Sequence, residues 1–258
     1  MSTVLASYNI KGGVGKTSAA VNLAYLAARG GARTLLWDLD PQAASTYLFR
    51  IKPKVRGGAG KLVKLKSEVS ELIKGTDYER LDLLPADFSY RHMDLALDSF
   101  KRPTRRLEKV LAPLADEYDY VFLDCPPSIS LVSESVFEAA DALLVPIIPA
   151  TLSARTFAQL DGLVGRGGAD GAPGLQVLAF FSMVEVRKSL HREVMARVRA
   201  EHSFHMLGAA VPSADEVERM GEERTAVAAF APGSRGALAY EALWWDIRRR
   251  LKGTRRTD

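Results

Sequence analysis

Residues 10–17 read Ile-Lys-Gly-Gly-Val-Gly-Lys-Thr, set between an apolar run at 4–9 (VLASYN) and a helical pattern from Thr17 to Arg29. Few segments restrict a fold as strongly. Glycines ahead of a helix let backbone N–H groups converge on an anion at the helix N-terminus. Lys16 stands where a cation can meet β- and γ-phosphates, and Thr17 supplies a hydroxyl for Mg²⁺. Gly12, Gly13, Val14, Gly15, Lys16, Thr17 and Ser18 are therefore candidate nucleotide contacts. The strict spacing G-x-x-x-x-G-K-[ST] is not met, because Ile10 occupies the first glycine position. A second lysine, Lys11, lies five residues before Lys16.

Further apolar runs at 34–37, 82–85, 120–123, 142–148, 175–182 and 207–211 alternate with helical patterns at 43–49, 104–117, 153–164, 188–201 and 236–251. The runs are continuous, without the polar alternation of a half-exposed strand. That pattern predicts an α/β fold, a doubly wound, mostly parallel sheet with helices on both faces. No repeat or linker divides the chain, so residues 1–258 are expected to form one domain. Residues 51–66, with Pro53 and three glycines among lysines, read as a mobile basic loop, and 165–174 as a Gly-rich loop. No apolar run is long enough to span a bilayer. No secretory signal is legible. The single cysteine, Cys125, cannot pair within the chain or alone build a zinc or iron–sulfur site. A cytoplasmic location is the expectation.

Three carboxylates sit where such a sheet binds ligands, at the carboxyl ends of its strands. Asp38 and Asp40 leave the second strand in an Asp-Leu-Asp-Pro turn, and Asp124 ends the fourth. One carboxylate there can orient a metal-bound water and another the attacking water. Asp-x-Asp-Pro is also ordinary turn chemistry.

Lys11-Gly-Gly-Val-Gly-Lys-Thr17 resembles the deviant Walker A motif of the ParA/MinD family of P-loop ATPases. Asp38-Leu-Asp-Pro-Gln42 and Asp124-Cys-Pro-Pro-Ser128 resemble that family's later motifs, and Asp82 to Ala86, Val145-Pro146 and Gly236-Ala237 its further landmarks. The resemblance implies a chain that binds ATP and Mg²⁺ and becomes a homodimer in the ATP state, with Lys11 reaching the partner's nucleotide. It implies a catalytic set of Lys11, Lys16 and Asp40. Asp40 stands 24 residues after Lys16 (40 − 16), where the family keeps the aspartate needed for hydrolysis. Thr17, Asp38 and Asp124 form the implied metal set, with Asp124 acting through water. Ser182 and Pro212, at the ends of the sixth and seventh strands, join the nucleotide contacts. Slow intrinsic turnover, a ParB-like or other adaptor that stimulates it, and nucleoid association are also implied, in the short form without an N-terminal helix-turn-helix. Three departures stand out, one being a basic segment at 50–66 longer than expected of chromosome-partition members. Ser182 replaces the asparagine that the family often uses near adenine. The loop after the seventh strand, Ser213-Ala-Asp-Glu216, is acidic where ParA proteins are often basic.

The formal charge is +4, with pI ≈ 9.1. Residues 50–66 carry seven Lys/Arg and no acid, and 245–258 six against two acids. Non-specific double-stranded DNA needs such phosphate-neutralising cations. The candidates are Arg187, Lys188, Arg192, Arg248, Arg249, Arg250, Lys252, Arg255 and Arg256, with the basic segment 50–66 as a third group whose alternative role is toward the dimer or a partner. Cations also favour a helix C-terminus without any ligand. A MinD-like membrane-surface ATPase is the alternative, and it would need an amphipathic tail. Tyr240, Trp244, Ile247 and Leu251 form a stripe that reads as core packing, and the residues after Leu251 present no apolar face. Stable membrane binding is not expected.

Overall fold

The computed structural model describes residues 2–65, 68–165 and 175–254. Its strands are β1 (Thr3–Ser7), β2 (Thr34–Asp38), β3 (Lys74–Gly75), β4 (Leu81–Leu84), β5 (Tyr120–Asp124), β6 (Ala142–Ile147), β7 (Gln176–Val184) and β8 (Met206–Pro212). They form one sheet in the order β3-β4-β2-β5-β1-β6-β7-β8, parallel except where β3 pairs antiparallel with β4. The helices are α1 (Lys16–Arg29), α2 (Ala44–Leu48), α3 (Gly58–Val63), α4 (Met93–Asp98), α5 (Arg106–Leu111), α6 (Leu131–Ala139), α7 (Thr151–Gly165) and α8 (Ser189–Glu201). After β8 come α9 (Asp215–Glu218), α10 (Met220–Glu223), α11 (Val227–Phe230) and α12 (Arg235–Thr254). No helix among the described residues is long and apolar enough to cross a membrane.

The apolar runs are continuous because both faces of the sheet are covered. Val4, Ala6, Leu35, Trp37, Val121 and Leu123 enter one core, with side chains from α3 to α8. Their strand neighbours Leu5, Leu36 and Phe122 enter the other, with α1, α11 and α12. Each large side chain buried this way contributes about 1.5–3 kcal/mol. Tyr240, Trp244 and Ile247 are buried and Leu251 is half-buried against the second core, so the stripe on the last helix is core packing.

Four departures from the sequence expectation have local causes. Residues 51–66 are not one loop: α3 forms within them, and Ala59, Leu62 and Val63 are fully buried. The expected helix at 104–117 is α5 followed by a single 3₁₀ turn, Ala112–Leu114, where Pro113 lacks the N–H that would continue the helix. Helix α6 had no sequence assignment. At its start the Ser133 hydroxyl accepts from the Ser130 N–H and donates to the Ser130 carbonyl, both at 2.8 Å. Two-residue β3 carries no periodicity to read. The Gly-rich segment 166–174, and with it Arg255 and Arg256 of the C-terminal cluster, lies outside the described residues.

Candidate nucleotide site

The register brings three polar side chains to one level. Ser7 ends β1 opposite Asp124 of β5, and Asp124 stands opposite Asp38 of β2. The Ser7 hydroxyl donates to the Lys16 carbonyl at 2.8 Å and fastens the start of α1 to the sheet. Between them the glycine loop turns through two left-handed residues, Gly13 (φ 69°) and Gly15 (φ 94°). Gly15 leaves no room for a side chain: a Cβ there would sit 2.8 Å from the Ser182 hydroxyl. Gly12 and Gly13 are exposed and Val14 is buried, so the loop turns its backbone outward and anchors itself inward.

Lys16 is nearly buried, and its ammonium donates to the Lys11 carbonyl across the loop at 3.1 Å. Burial lowers its pKa, and the opposed charge of Asp124 works the other way. Thr17 donates its hydroxyl to Asp124 Oδ1 at 3.2 Å, and Ser45 donates to Asp124 Oδ2 at 2.5 Å. The Lys11 ammonium lies 3.0 Å from the Ser153 hydroxyl at the start of α7. Its backbone N–H is held by Asn9, whose amide in turn donates to the Pro146 carbonyl.

Asp38 ends β2 at the base of the site. It is fully buried. Its Oδ2 accepts from both the Thr46 N–H (2.8 Å) and hydroxyl (2.7 Å), and its Oδ1 from the Asp40 N–H (3.1 Å). These bonds make Asp38 a brace for α2 and the Asp40 turn. Asp40 is half-exposed and accepts from the Gln42 N–H at 2.9 Å. The turn chemistry and a water-facing carboxylate thus coexist in one segment. Ser45 and Thr46 were missed in the sequence because hydroxyl residues after a turn are ordinary helix starts.

A cleft of about 990 Å³ runs from Ser18 past Gln42 and Tyr47 to Met183, Val217 and Glu218. Ser182 is not among its lining residues: it is buried beneath the loop against Gly15. The neighbouring Met183, at φ 54° where the β7–β8 ladder is irregular, turns its side chain to the cleft instead. Pro212 is half-buried at the end of β8. Cys125 is buried and its thiol is pushed well up by burial, so it acts as a small core residue.

Burial raises the pKa of Asp38, with the charge of Asp124 second; burial likewise raises that of Asp124. Both carboxyls therefore keep protons when folded that they lose, near 3.8, when unfolded. The native state binds more protons in the interval above that value, so these groups make stability fall as pH rises through it and level off once both are ionised. Urea midpoints of the metal-free chain, taken between about pH 4 and pH 8, are expected to fall less steeply in Asp38→Asn than in the wild type. Identical slopes would mean that Asp38 is not a buried carboxyl of this kind.

The candidate DNA contacts do not form one patch. Arg187 and Lys188 follow the carboxyl end of β7, and Lys188 is paired with Glu185 at 2.6 Å. The basic end of α12 lies toward the opposite, amino ends of the strands, since Arg250 donates to the carbonyls of Phe204 and Met206 at the start of β8. Arg250 is thus a clamp on the β8 entry, whereas Arg248, Arg249 and Lys252 are exposed. Arg249 lies over the exposed Trp245 ring, 4.9 Å from its centroid.

A glycine loop between β1 and α1, a buried lysine and a hydroxyl–carboxylate pair at the strand ends define a P-loop nucleotide-binding protein. The AAA domain family matches residues 2–166, and a chromosome partitioning protein ParA of Caulobacter vibrioides is 32% identical over 81% of this chain and 80% of its own. The chain belongs to that AAA domain family and, within it, to the ParA/MinD-family P-loop ATPases. The sporulation initiation inhibitor protein Soj of Bacillus subtilis is 28% identical over 93% of this chain and 96% of its own. Cobyrinic acid a,c-diamide synthase from Mycobacterium smegmatis, with bound ATP analog and magnesium, superposes with a TM-score of 0.85 at 26% identity, covering 98% of this chain and 96% of the other.

Proposed function

We propose that this chain is an ATP-switched, dimerising ATPase that binds DNA without sequence preference and positions DNA or a large cargo, with hydrolysis stimulated by a partner protein. The observation that carries the ATPase reading is the Lys16–Thr17–Asp124 cluster behind two left-handed glycines. It supplies a cation, a hydroxyl and a carboxylate at the N-terminus of a 14-residue helix. The donors available to a metal are all oxygens, and a buried carboxylate with a raised pKa is short of a cation. Both suit Mg²⁺, which takes one or two protein ligands and completes its shell with water and phosphate. Thr17, and Asp124 through water, would hold it, and when bound it supplies charge to the β- and γ-phosphate oxygens.

In the proposed reaction the loop N–H groups and Lys16 hold the phosphates. Asp40, half-exposed at the rim, orients the attacking water in line with the γ-phosphate. Asp38 and Thr46 fix the Asp40 turn. Met183 and Val217 offer the base an apolar slot, which leaves adenine selectivity to shape more than to Ser182. In this reading Lys11 serves a partner subunit. It lies beside Ser153, and the exposed Leu152 and Ile129 flank the loop at Ser153 and Pro127. An ATP-state homodimer would cover both. The named relatives act in chromosome partitioning and sporulation control, and nucleoid association is the matching location.

Asp40→Ala is the test. It is expected to lose roughly 10²–10³-fold in phosphate release while keeping ATP and the dimer. In that trapped state it should bind duplex DNA with an affinity that falls steeply with salt. Wild-type turnover in Asp40→Ala would remove that residue's role. A wild-type chain that stays monomeric in light scattering with ATP, or that ignores DNA at low salt, would sink the switch.

A further inference from the structure

Two basic segments that are far apart in sequence meet on one surface. Helix α5 packs on α3, and the Arg106 guanidinium, stacked over the Phe100 ring at 4.3 Å, donates from Nε to the Val63 carbonyl. That clamp sets Lys64, next to Val63, beside Lys101, Arg102, Arg105 and Lys109, all of them exposed. Phe100, Lys101, Arg102, Arg106 and Lys109 line a concavity of about 460 Å³. Over 54–64 and 100–109 the chain carries nine Lys/Arg and one acid, Glu108. Among the described residues none of the five exposed cations is in an ion pair, although Arg29, Arg33, Arg50, Arg80 and Arg219 all are.

Among the described residues no hydrogen bond or ion pair uses these five charges. Leu62, Val63, Leu107 and Val110 hold the two helices to the core, and the cations point away from it. Like charges gathered without counterions repel one another and await an anion. A phosphate backbone fits them in a way that a single anion does not: the cations span two helices and a connecting loop, so they suit a run of phosphates. The C-terminal cluster is a weaker candidate. It has lost Arg250 to the β8 entry, and α12 packs in the other core, across the sheet from α3 and α5.

We propose that the α3–α5 face, and not the end of α12, is the main phosphate-contacting surface for duplex DNA. This rests on the DNA-binding function proposed above and assigns it a place. The test compares the ATP-loaded wild type with Lys101→Ala/Arg102→Ala/Lys109→Ala and with Arg248→Ala/Arg249→Ala/Lys252→Ala. Each is titrated with one mixed-sequence duplex over a salt series, with ATP affinity measured alongside. The slope of log K against log salt changes by about 0.9 per phosphate contact. The α5 triple variant is expected to lose about 2–3 from the slope with unchanged ATP affinity, and the α12 variant less than about 1. The reverse pattern overturns the proposal while leaving DNA binding intact. No binding by the wild type overturns both. A wild-type slope in both variants also overturns it, and frees the face for an acidic protein partner.

Discussion

Gly15→Ala is expected to bind ATP at least about 100-fold more weakly than the wild type, since misplacing a binding group by about 1 Å can cost that much. Two effects combine. Gly15 sits at φ 94°, and an L side chain in the left-handed region costs about 1–2 kcal/mol. The added methyl would also stand 2.8 Å from the Ser182 hydroxyl, inside the contact distance of real side chains. Ser182 is buried beneath the loop, so relief of the contact is expected to shift the loop as well as the hydroxyl. Calorimetric titration with a non-hydrolysed ATP analogue measures the loss. Adding Ser182→Gly removes the steric part and leaves the backbone part, so partial recovery is expected in the double variant. Near-wild-type affinity in Gly15→Ala would show that the loop does not sit against Ser182.

Trp37→Ala is expected to lower stability by about 3–5 kcal/mol, the usual range for deleting a large aromatic side chain from a core. Trp37 is fully buried in the centre of the sheet, one residue before Asp38, and its indole N–H faces the Tyr90 hydroxyl at 3.4 Å. The readout is the urea midpoint, with the slope m unchanged. Trp245→Ala, on the exposed face of α12, is expected to stay within about 0.5 kcal/mol of the wild type. Equal losses from the two would contradict the exposure of Trp245 on α12.

The parallel sheet could be read from residues because each central strand is buried on both sides, and burial on both sides leaves an uninterrupted apolar run. Lys16, Thr17 and Asp124 could be read because their spacing is itself the chemistry. Other features depend on contacts between distant segments. That Ser182 lies under Gly15 comes from how β7 sits beside the loop, which no local pattern encodes. That Asp38 spends both oxygens on Thr46 and Asp40 needs the turn folded before it can be seen. Lysines at 61 and 64 look like loop charge until Leu62 and Val63 are known to be buried. The 100–109 cluster drew no notice in the sequence because Glu108 and Leu107 break it up, and only the packing of α5 on α3 joins it to its neighbours.

Helix α2 is five residues long, too short to hold itself together in water. It persists because its first turn hangs from two carboxylates of the sheet, Ser45 from Asp124 and Thr46 from Asp38. Its other side faces solvent, where the half-exposed Tyr47 carries the Arg224 guanidinium at 4.3 Å and accepts from it through the main chain. The carboxylate nearest the phosphates is therefore one hydroxyl away from a turn that a passing protein can touch. Removing the Ser45 hydroxyl would take away one of the two fastenings of this turn and leave Asp124 with Thr17 alone. Chemistry at the bottom of the cleft and the shape of the outer wall are two ends of a lever less than two helical turns long.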